Sequence, residues 1–130
     1  MSDTIAVLVV DEDEDVLELT ETFLERASDA LSVETATSGE EALDRVAGVD
    51  CVVSDYRMPG MDGMDLFEAV RERHPGVPFL LFSAAVEEET VSAAEEAGVT
   101  AFIQKGTGTD HYNEMAAIIE EAVADADTES

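Results

Sequence analysis

Five short apolar runs recur along the chain and alternate with longer segments of helical period. The runs are AVLVV (6–10), LSVETA (31–36), CVVS (51–54), PFLLFS (78–83) and AFIQ (101–104). Four of them are compact and rich in β-branched or aromatic residues, as strands buried on both faces of a sheet tend to be. The pattern therefore predicts five strands.

The segments that follow these runs predict five helices. From Val16 to Ala27, apolar residues lie three or four positions apart among acidic ones, which is typical of an amphipathic helix. Ser38 and Glu41 form an S-x-x-E capping box ahead of a second helix that Gly48 closes. The other three helices are predicted around Met64 to Val70 with a stop at His74-Pro75, from Glu87 to Ala97, and from about Tyr112 to Ala124.

Strands that alternate with helices imply an α/β fold, with a parallel sheet, right-handed crossovers and helices on both faces. A length of 130 residues fits a single domain. We predict that residues 1–124 form this domain. The last residues, DADTES (125–130), are predicted to be an acidic tail or the start of a linker.

The charge balance narrows the range of partners. The chain has 32 acidic residues and six cations, a formal net charge of −26. Such a charge repels nucleic acid and anionic lipid, so proteins and metal cations are the expected partners. Because the repulsion needs counter-ions, the surface suggests a halophile. With no signal peptide and no apolar run of about 18 residues, we expect no membrane contact and a cytoplasmic protein.

Polar residues collect at the carboxyl ends of the predicted strands, where open parallel sheets bind their ligands. Asp11 and Glu12 follow the first strand, Asp55 follows the third, Ser83 ends the fourth and Lys105 follows the fifth. Three carboxylates brought together repel one another unless a cation lies among them, and Mg²⁺ suits such a set of oxygen ligands. The sequence therefore predicts a magnesium site at this edge.

A hydroxyl and an ammonium beside that site supply what a phosphoryl group needs on the side opposite the metal. Ser83 and Lys105 are the two candidates, and Lys105 is the only lysine of the chain. Each acidic residue taken singly would be an ordinary solvated loop residue. Their joint occurrence at the strand ends favours a site that handles phosphate.

Four segments, VLVVDEDEDV, SDYRMPGMDG, FLLFSA and FIQKG, occur in the order and spacing of a known family. In these segments the chain resembles the response-regulator receiver domains of two-component signalling. The resemblance covers nearly the whole chain. It implies a flavodoxin-like, doubly wound sheet of five parallel strands in the order 2-1-3-4-5.

The resemblance also implies the roles of the site residues. Asp55 would be the phosphoacceptor, receiving its phosphoryl group from the phosphohistidine of a sensor histidine kinase or a phosphotransfer protein. Mg²⁺ would be held by Asp11, Glu12, Asp55 and the backbone carbonyl of Arg57. Ser83 and Lys105 would bind the phosphoryl oxygens, with Lys105 paired to Asp55 before transfer.

The same resemblance implies how a signal would leave the site. Ser83 and Phe102 would form the switch, and the face of helix 4, strand 5 and helix 5, from Glu87 to Ala124, would contact downstream partners. Such a domain is not a classical enzyme, although it promotes its own phosphorylation and dephosphorylation. Output through a separate domain or protein is expected.

Three positions depart from the family pattern. Glu12 stands where aspartate is usual, Phe102 lacks the phenolic hydroxyl of a tyrosine, and Gly106 replaces the proline after the lysine. Because a cis peptide bond before a residue other than proline is costly, we expect the loop KGTGTD to take its own shape.

Two alternatives stay open. The KG-rich loop and the segment VSDYRMPGMDG are similar to receivers at the front of haloarchaeal sensor histidine kinases, so the domain could regulate a larger kinase. In the second alternative, the chain is a protein-interaction module of the same fold that is not phosphorylated. A phosphohydrolase with a D-x-D motif is unlike this chain, because Arg57 stands where the second acid would be needed.

Overall fold

The computed structural model describes residues 4–84, 87–106 and 110–129, with side chains up to residue 126. Strands and helices alternate throughout. The strands are β1 (Ile5–Val10), β2 (Leu31–Ala36), β3 (Cys51–Ser54), β4 (Phe79–Ser83) and β5 (Ala101–Gln104). The helices are α1 (Glu14–Ala27), α2 (Gly39–Arg45), α3 (Gly63–Arg73), α4 (Glu88–Ala97) and α5 (Asp110–Glu129).

The five strands form one sheet in the order β2-β1-β3-β4-β5, and every neighbouring pair is parallel. This confirms the predicted flavodoxin-like, doubly wound fold. All residues of the inner strands β3 and β4 are buried, because helices cover both faces of the sheet. The edge strand β2 instead alternates buried and exposed residues at most positions.

The sheet separates two apolar cores. Alternate residues of β1 point to opposite faces, so Val7 and Val9 pack on one side and Leu8 and Val10 on the other. The first core is completed by α1 and α5, and the second by α2, α3 and α4. The amphipathic period predicted from Val16 to Ala27 agrees with this arrangement, since Leu17 and Leu24 of α1 lie in the first core.

The start of α2 differs in one detail from the predicted capping box. Ser38 accepts a hydrogen bond from the backbone N–H of Glu41, as expected. The Glu41 carboxylate, however, accepts from the backbone N–H of Thr37 at 2.7 Å, one residue before the cap. This bond is the main reason why the pKa of Glu41 is lowered. The helix ends at Arg45 and a 3₁₀ turn, Val46–Gly48, follows it.

Helix α5 is longer than the sequence pattern predicts. It runs from Asp110 to Glu129, whereas the prediction ended it at about Ala124. The segment DADTE contains neither glycine nor proline, so nothing in its composition stops a helix. The boundary predicted at residue 125 falls within this helix, and the division of the chain there stays a prediction.

No helix within the described ranges combines the length and the apolar character that crossing a membrane requires.

Few of the surface carboxylates have a cation beside them. In the part of the chain that the structure describes, ion pairs involve Arg45, which lies 3.8 Å from Glu34 and 3.6 Å from Glu41, and Lys105, which belongs to the site described below. The Arg45 pairs are about half exposed and contribute little to stability. The net charge of −26 must therefore be offset mainly by dissolved ions.

We expect the melting temperature to rise as KCl increases from about 0.1 M to above 1 M, where the Debye length falls from about 10 Å to about 3 Å. Circular dichroism melts across that range measure the effect. Choline chloride is the control, because general screening predicts a similar rise with either salt. A flat or falling melting temperature in both salts would show that self-repulsion does not limit this fold.

Candidate functional site

Four of the predicted site residues lie together at the carboxyl edge of the sheet. Asp11, Asp55 and Lys105 each come directly after a strand, and Ser83 is the buried last residue of β4. The backbone N–H of Lys105 donates to the carbonyl of Ser83 at 2.9 Å, and that of Asp55 donates to the last carbonyl of β1 at 2.9 Å. The backbone hydrogen bonds of the sheet thus continue into the site and fix the positions of these residues.

The ammonium of Lys105 lies between two carboxylates. Its Nζ is 2.7 Å from Oδ2 of Asp11 and 3.7 Å from Oδ1 of Asp55. The three side chains are largely shielded from solvent, with exposures of 19% for Lys105, 4% for Asp11 and 14% for Asp55. The expected pairing of Lys105 with Asp55 is therefore present, and the ammonium lies closer still to Asp11, whose carboxylate is the more buried of the two.

Burial is the largest influence on the pKa of the Asp55 side chain. It raises the pKa of this carboxyl, the nearby ammonium of Lys105 lowers it, and the charge of Asp11 raises it further. The backbone N–H groups of Tyr56 and Arg57 have smaller, lowering effects. The N–H of Tyr56 donates to Oδ1 of Asp55 at 2.8 Å. The net shift is upward, so the ionised carboxylate is held in an environment that favours it less than water does.

Asp11 is tied to the start of α1 as well as to Lys105. Its Oδ1 accepts a hydrogen bond from the backbone N–H of Asp13 at 2.9 Å. Asp13 in turn is the N-cap of α1 and accepts from the N–H of Asp15. One carboxylate of the site is therefore held by hydrogen bonds from both the lysine and the backbone.

Glu12 and Arg57 lie at the rim of the site. Both are exposed, and together with Tyr56 and Asp62 they line a shallow pocket beside it. Among the residues that the structure describes, no three acidic, histidine or cysteine side chains form a ready-made metal cluster. The chemistry of the donors nevertheless fits Mg²⁺, since carboxylates on neighbouring strand ends and a backbone carbonyl are oxygen ligands that this ion accepts.

Gly63 allows α3 to begin against the site, although the sequence reading missed it. Its N–H donates to the carbonyl of Tyr56 at 2.8 Å. A Cβ at this position would lie 2.5 Å from the carbonyl oxygen of Asp55 and 2.8 Å from Cδ2 of Leu81. Only a residue without a side chain permits this approach, so the loop after Asp55 depends on a glycine here.

The predicted switch residue Phe102 packs beside the site rather than in it. It is partly buried and its ring lies 6.5 Å, centroid to centroid, from the ring of Tyr56. Tyr56 directly follows Asp55 and was not singled out from the sequence. The signal for it was available, because an aromatic residue next to the candidate acceptor is placed by β3 at the same edge of the sheet.

The loop after β5 is described only in part. The described ranges contain no cis peptide bond, so the bond between Lys105 and Gly106 is trans. The rest of the KGTGTD loop, residues 107–109, lies outside the described residues.

Comparison with known proteins identifies the class of the molecule. The family model of the response regulator receiver domain matches residues 7–117, and the chain therefore belongs to this family. The transcriptional regulatory protein GlrR of Escherichia coli K12 is 39% identical over 107 residues, which cover 80% of this chain and 23% of GlrR. This chain thus spans about a quarter of the length of that curated relative.

Solved structures of receiver domains have the same fold as this chain. A response regulator receiver domain protein from Clostridium thermocellum superimposes with a TM-score of 0.86 at 20% identity, covering 97% of this chain and 99% of that chain. The non-phosphorylated HemR receiver domain from Leptospira biflexa gives a TM-score of 0.78 at 28% identity, covering 93% and 95%. The chain is a receiver domain of two-component signalling, a family whose members partner with sensor kinases, are typically Mg²⁺-dependent and are generally not classical enzymes.

Proposed function

We propose that this receiver accepts a phosphoryl group on Asp55 from the phosphohistidine of a sensor histidine kinase or a phosphotransfer protein. The observation that carries the proposal is the position of Lys105, whose ammonium lies within 3.7 Å of Asp55 and 2.7 Å of Asp11. A positive charge held between two carboxylates suits phosphoryl transfer, because this reaction brings further negative charge to the acceptor carboxylate.

In the proposed reaction a carboxylate oxygen of Asp55 attacks the phosphorus atom. The new O–P bond forms as the P–N bond to the donor histidine breaks, and the imidazole retains the electron pair of that bond. Lys105 and Ser83 bind the phosphoryl oxygens as charge develops on them. The backbone N–H of Tyr56 holds Oδ1 of Asp55, which orients the carboxylate for attack.

Asp11, Glu12, Asp55 and the carbonyl of Arg57 are the proposed ligands of Mg²⁺. When bound, this ion would neutralise part of the charge of the carboxylates and of the incoming phosphoryl group. Asp11 and Asp55 are held in place by backbone hydrogen bonds, whereas Glu12 is exposed at the rim. We therefore assign Glu12 the adjustable position among these ligands.

We expect Glu12→Gln to weaken Mg²⁺ binding about tenfold, because it removes one charge from the ligand set without touching the core. Magnesium titrations that follow the amide signals of residues 11, 12, 55 and 57 measure the affinity. Glu18→Gln, at an exposed position of α1, is the matched control. Equal affinities for both variants, or shifts confined to the acidic residues after position 124, would place the metal elsewhere.

Phosphorylation is proposed to act through Ser83 and Phe102 on the face formed by α4, β5 and α5. Support comes from the contact between Phe102 and Tyr56, which joins this face to the residue next to Asp55. The relatives' longer chains suggest output through a further region or a separate protein. The receiver of a larger haloarchaeal sensor kinase is one arrangement of this kind.

The test of the proposed function is direct chemical labelling. The protein is incubated with acetyl phosphate and Mg²⁺, the acyl phosphate is reduced with borohydride, and the modified peptide is mapped by mass spectrometry. We expect modification at Asp55 that disappears when EDTA is present. Labelling at another carboxylate would reassign the acceptor. A complete lack of labelling with both acetyl phosphate and a phosphohistidine donor would favour the interaction module that is not phosphorylated.

A further inference from the structure

An aromatic ring lies under the ammonium of Lys105. The Nζ atom is 5.3 Å from the centroid of the Phe82 ring and over its face. A cation within about 6 Å of a ring centroid is attracted by the negative potential of the ring face. Phe82 is the penultimate residue of β4, is 3% exposed and packs in the core between the sheet and α1 and α5. The site therefore has a third contact to its lysine, besides the two carboxylates.

The ring of Phe82 is itself held by other aromatic side chains. His111 and Tyr112, in the first turn of α5, contact it at centroid distances of 5.5 and 6.0 Å, with Tyr112 edge-on at 64°. Tyr112 also stacks on Phe23 of α1 at 5.3 Å. A ring packed on several sides has little freedom to turn, so the face that it presents to Lys105 is fixed.

Lysine needs such a constraint more than most residues. Its flexible four-carbon stem loses rotamer entropy when it is ordered, so the ammonium returns to solvent unless several contacts hold it. The backbone of Lys105 is fixed to Ser83, but that bond does not orient the side chain. We propose that Phe82 is a positioning residue, whose ring face holds the ammonium of Lys105 against the carboxylates of Asp11 and Asp55. Its importance for phosphoryl transfer rests on the function proposed above.

An aromatic ring suits this task better than an aliphatic side chain of similar size. Leucine would fill the same space but offer the ammonium no electrostatic attraction. The broad ring face also lets Nζ shift by a fraction of its width toward a phosphoryl group on Asp55 without losing the contact. Phe82 thus restrains the lysine to the site while leaving it free to change partners within it.

The contact can be tested without phosphorylation, because Lys105 is the only lysine. Labelling with ¹³C-lysine gives one set of side-chain NMR signals, and a ring beneath the ammonium shifts the ε-CH₂ protons upfield. We expect this upfield shift in the wild type. It should be lost in Phe82→Leu, which has no ring at this position, and kept in Phe82→Tyr, which has one. Phe79→Leu is the control, since Phe79 is equally buried in β4 but packs on the opposite face against Phe67.

The second measurement separates the ring's charge distribution from its packing. Fluorinated phenylalanines, introduced at position 82, keep the shape of the ring while fluorine withdraws electron density from its face. We expect the rate of acetyl phosphate labelling to fall progressively, by about three- to tenfold for trifluorophenylalanine. The same replacement at Phe79 should leave the rate unchanged.

The two measurements distinguish failure of this inference from failure of the proposed function. An ε-CH₂ signal at its free-lysine position, or one that Phe82→Leu does not move, overturns the positioning role. Equal loss of labelling with fluorinated residues at positions 79 and 82 overturns it also, because only general packing would then be involved. If the NMR shift depends on Phe82 but the wild type is never phosphorylated, the positioning role stands and the proposed function fails.

Discussion

Asp55→Asn is expected to abolish phosphorylation by small phosphodonors and by phosphohistidine. The amide keeps the shape of the side chain but removes the nucleophilic charge, and loss of a nucleophile typically lowers such rates by about 100-fold or more. Incubation with acetyl phosphate and Mg²⁺, followed by mass spectrometry of the intact protein, measures the effect. Asp44→Asn, at an exposed position of α2, is the matched control and should label like the wild type.

The same substitution is expected to leave the protein folded and no less stable at neutral pH. The pKa of Asp55 is raised in the folded protein, mainly by burial, so ionising this carboxyl costs more in the folded chain than in the unfolded chain. Its charge therefore lowers stability at neutral pH, and that loss is recovered as the pH falls through the raised pKa. Asparagine carries no such charge.

Melting curves of wild type and mutant without metal check this second expectation. A mutant that melts well below the wild type at pH 7 would mean that the Lys105 contact outweighs the cost of burial. Undiminished labelling of Asp55→Asn would contradict the assignment of the acceptor itself.

Lys105→Arg is expected to keep the fold and the metal affinity but to weaken the response to a phosphoryl mimic. Five of the six cations are arginine, so the lysine here is unlike the rest of the chain. A compact ammonium fits the 2.7 Å contact with Asp11 above the ring of Phe82, whereas the broader guanidinium demands a planar, two-pronged partner. Loss of one charge-assisted hydrogen bond in the activated state corresponds to about a tenfold weaker response.

Amide spectra with and without beryllofluoride measure that response around Ser83 and Phe102. Arg73→Lys, the reverse exchange at the exposed end of α3, is the control and should respond normally. If Lys105→Arg binds beryllofluoride and shifts the same signals to the same extent as the wild type, then any cation at this position suffices.

The fold could be predicted almost completely because it depends on patterns that are local in sequence. Apolar runs gave the five strands, and helical periods and end signals gave the five helices. The order of the strands came from the family resemblance rather than from the pattern. The end of α5 was missed, because an acidic segment without glycine or proline carries no stop signal and its polar character suggested a tail.

Within the site, the sequence predicts which residues meet and that Lys105 pairs with Asp55, but not that Asp11 is the nearer partner of the lysine. Asp11, Asp55 and Lys105 lie at one edge because each directly follows a strand. That Lys105 is closer to Asp11 than to Asp55 depends on how deeply each carboxylate is set, which no spacing encodes. The run FLLFS predicts only that Phe82 is an apolar strand residue, since nothing in it indicates that the lysine following another strand lies over the ring.

The close approach at Gly63 has a consequence for how this protein tolerates variation. A methyl group would meet open space at Gly48, Gly76 and Gly106, but at Gly63 it would collide with the carbonyl of Asp55. A library of random substitutions, selected only for signalling, should therefore accept many residues at the first three positions and none at the fourth. The acceptor site would then be marked by an intolerant position that has no side chain of its own.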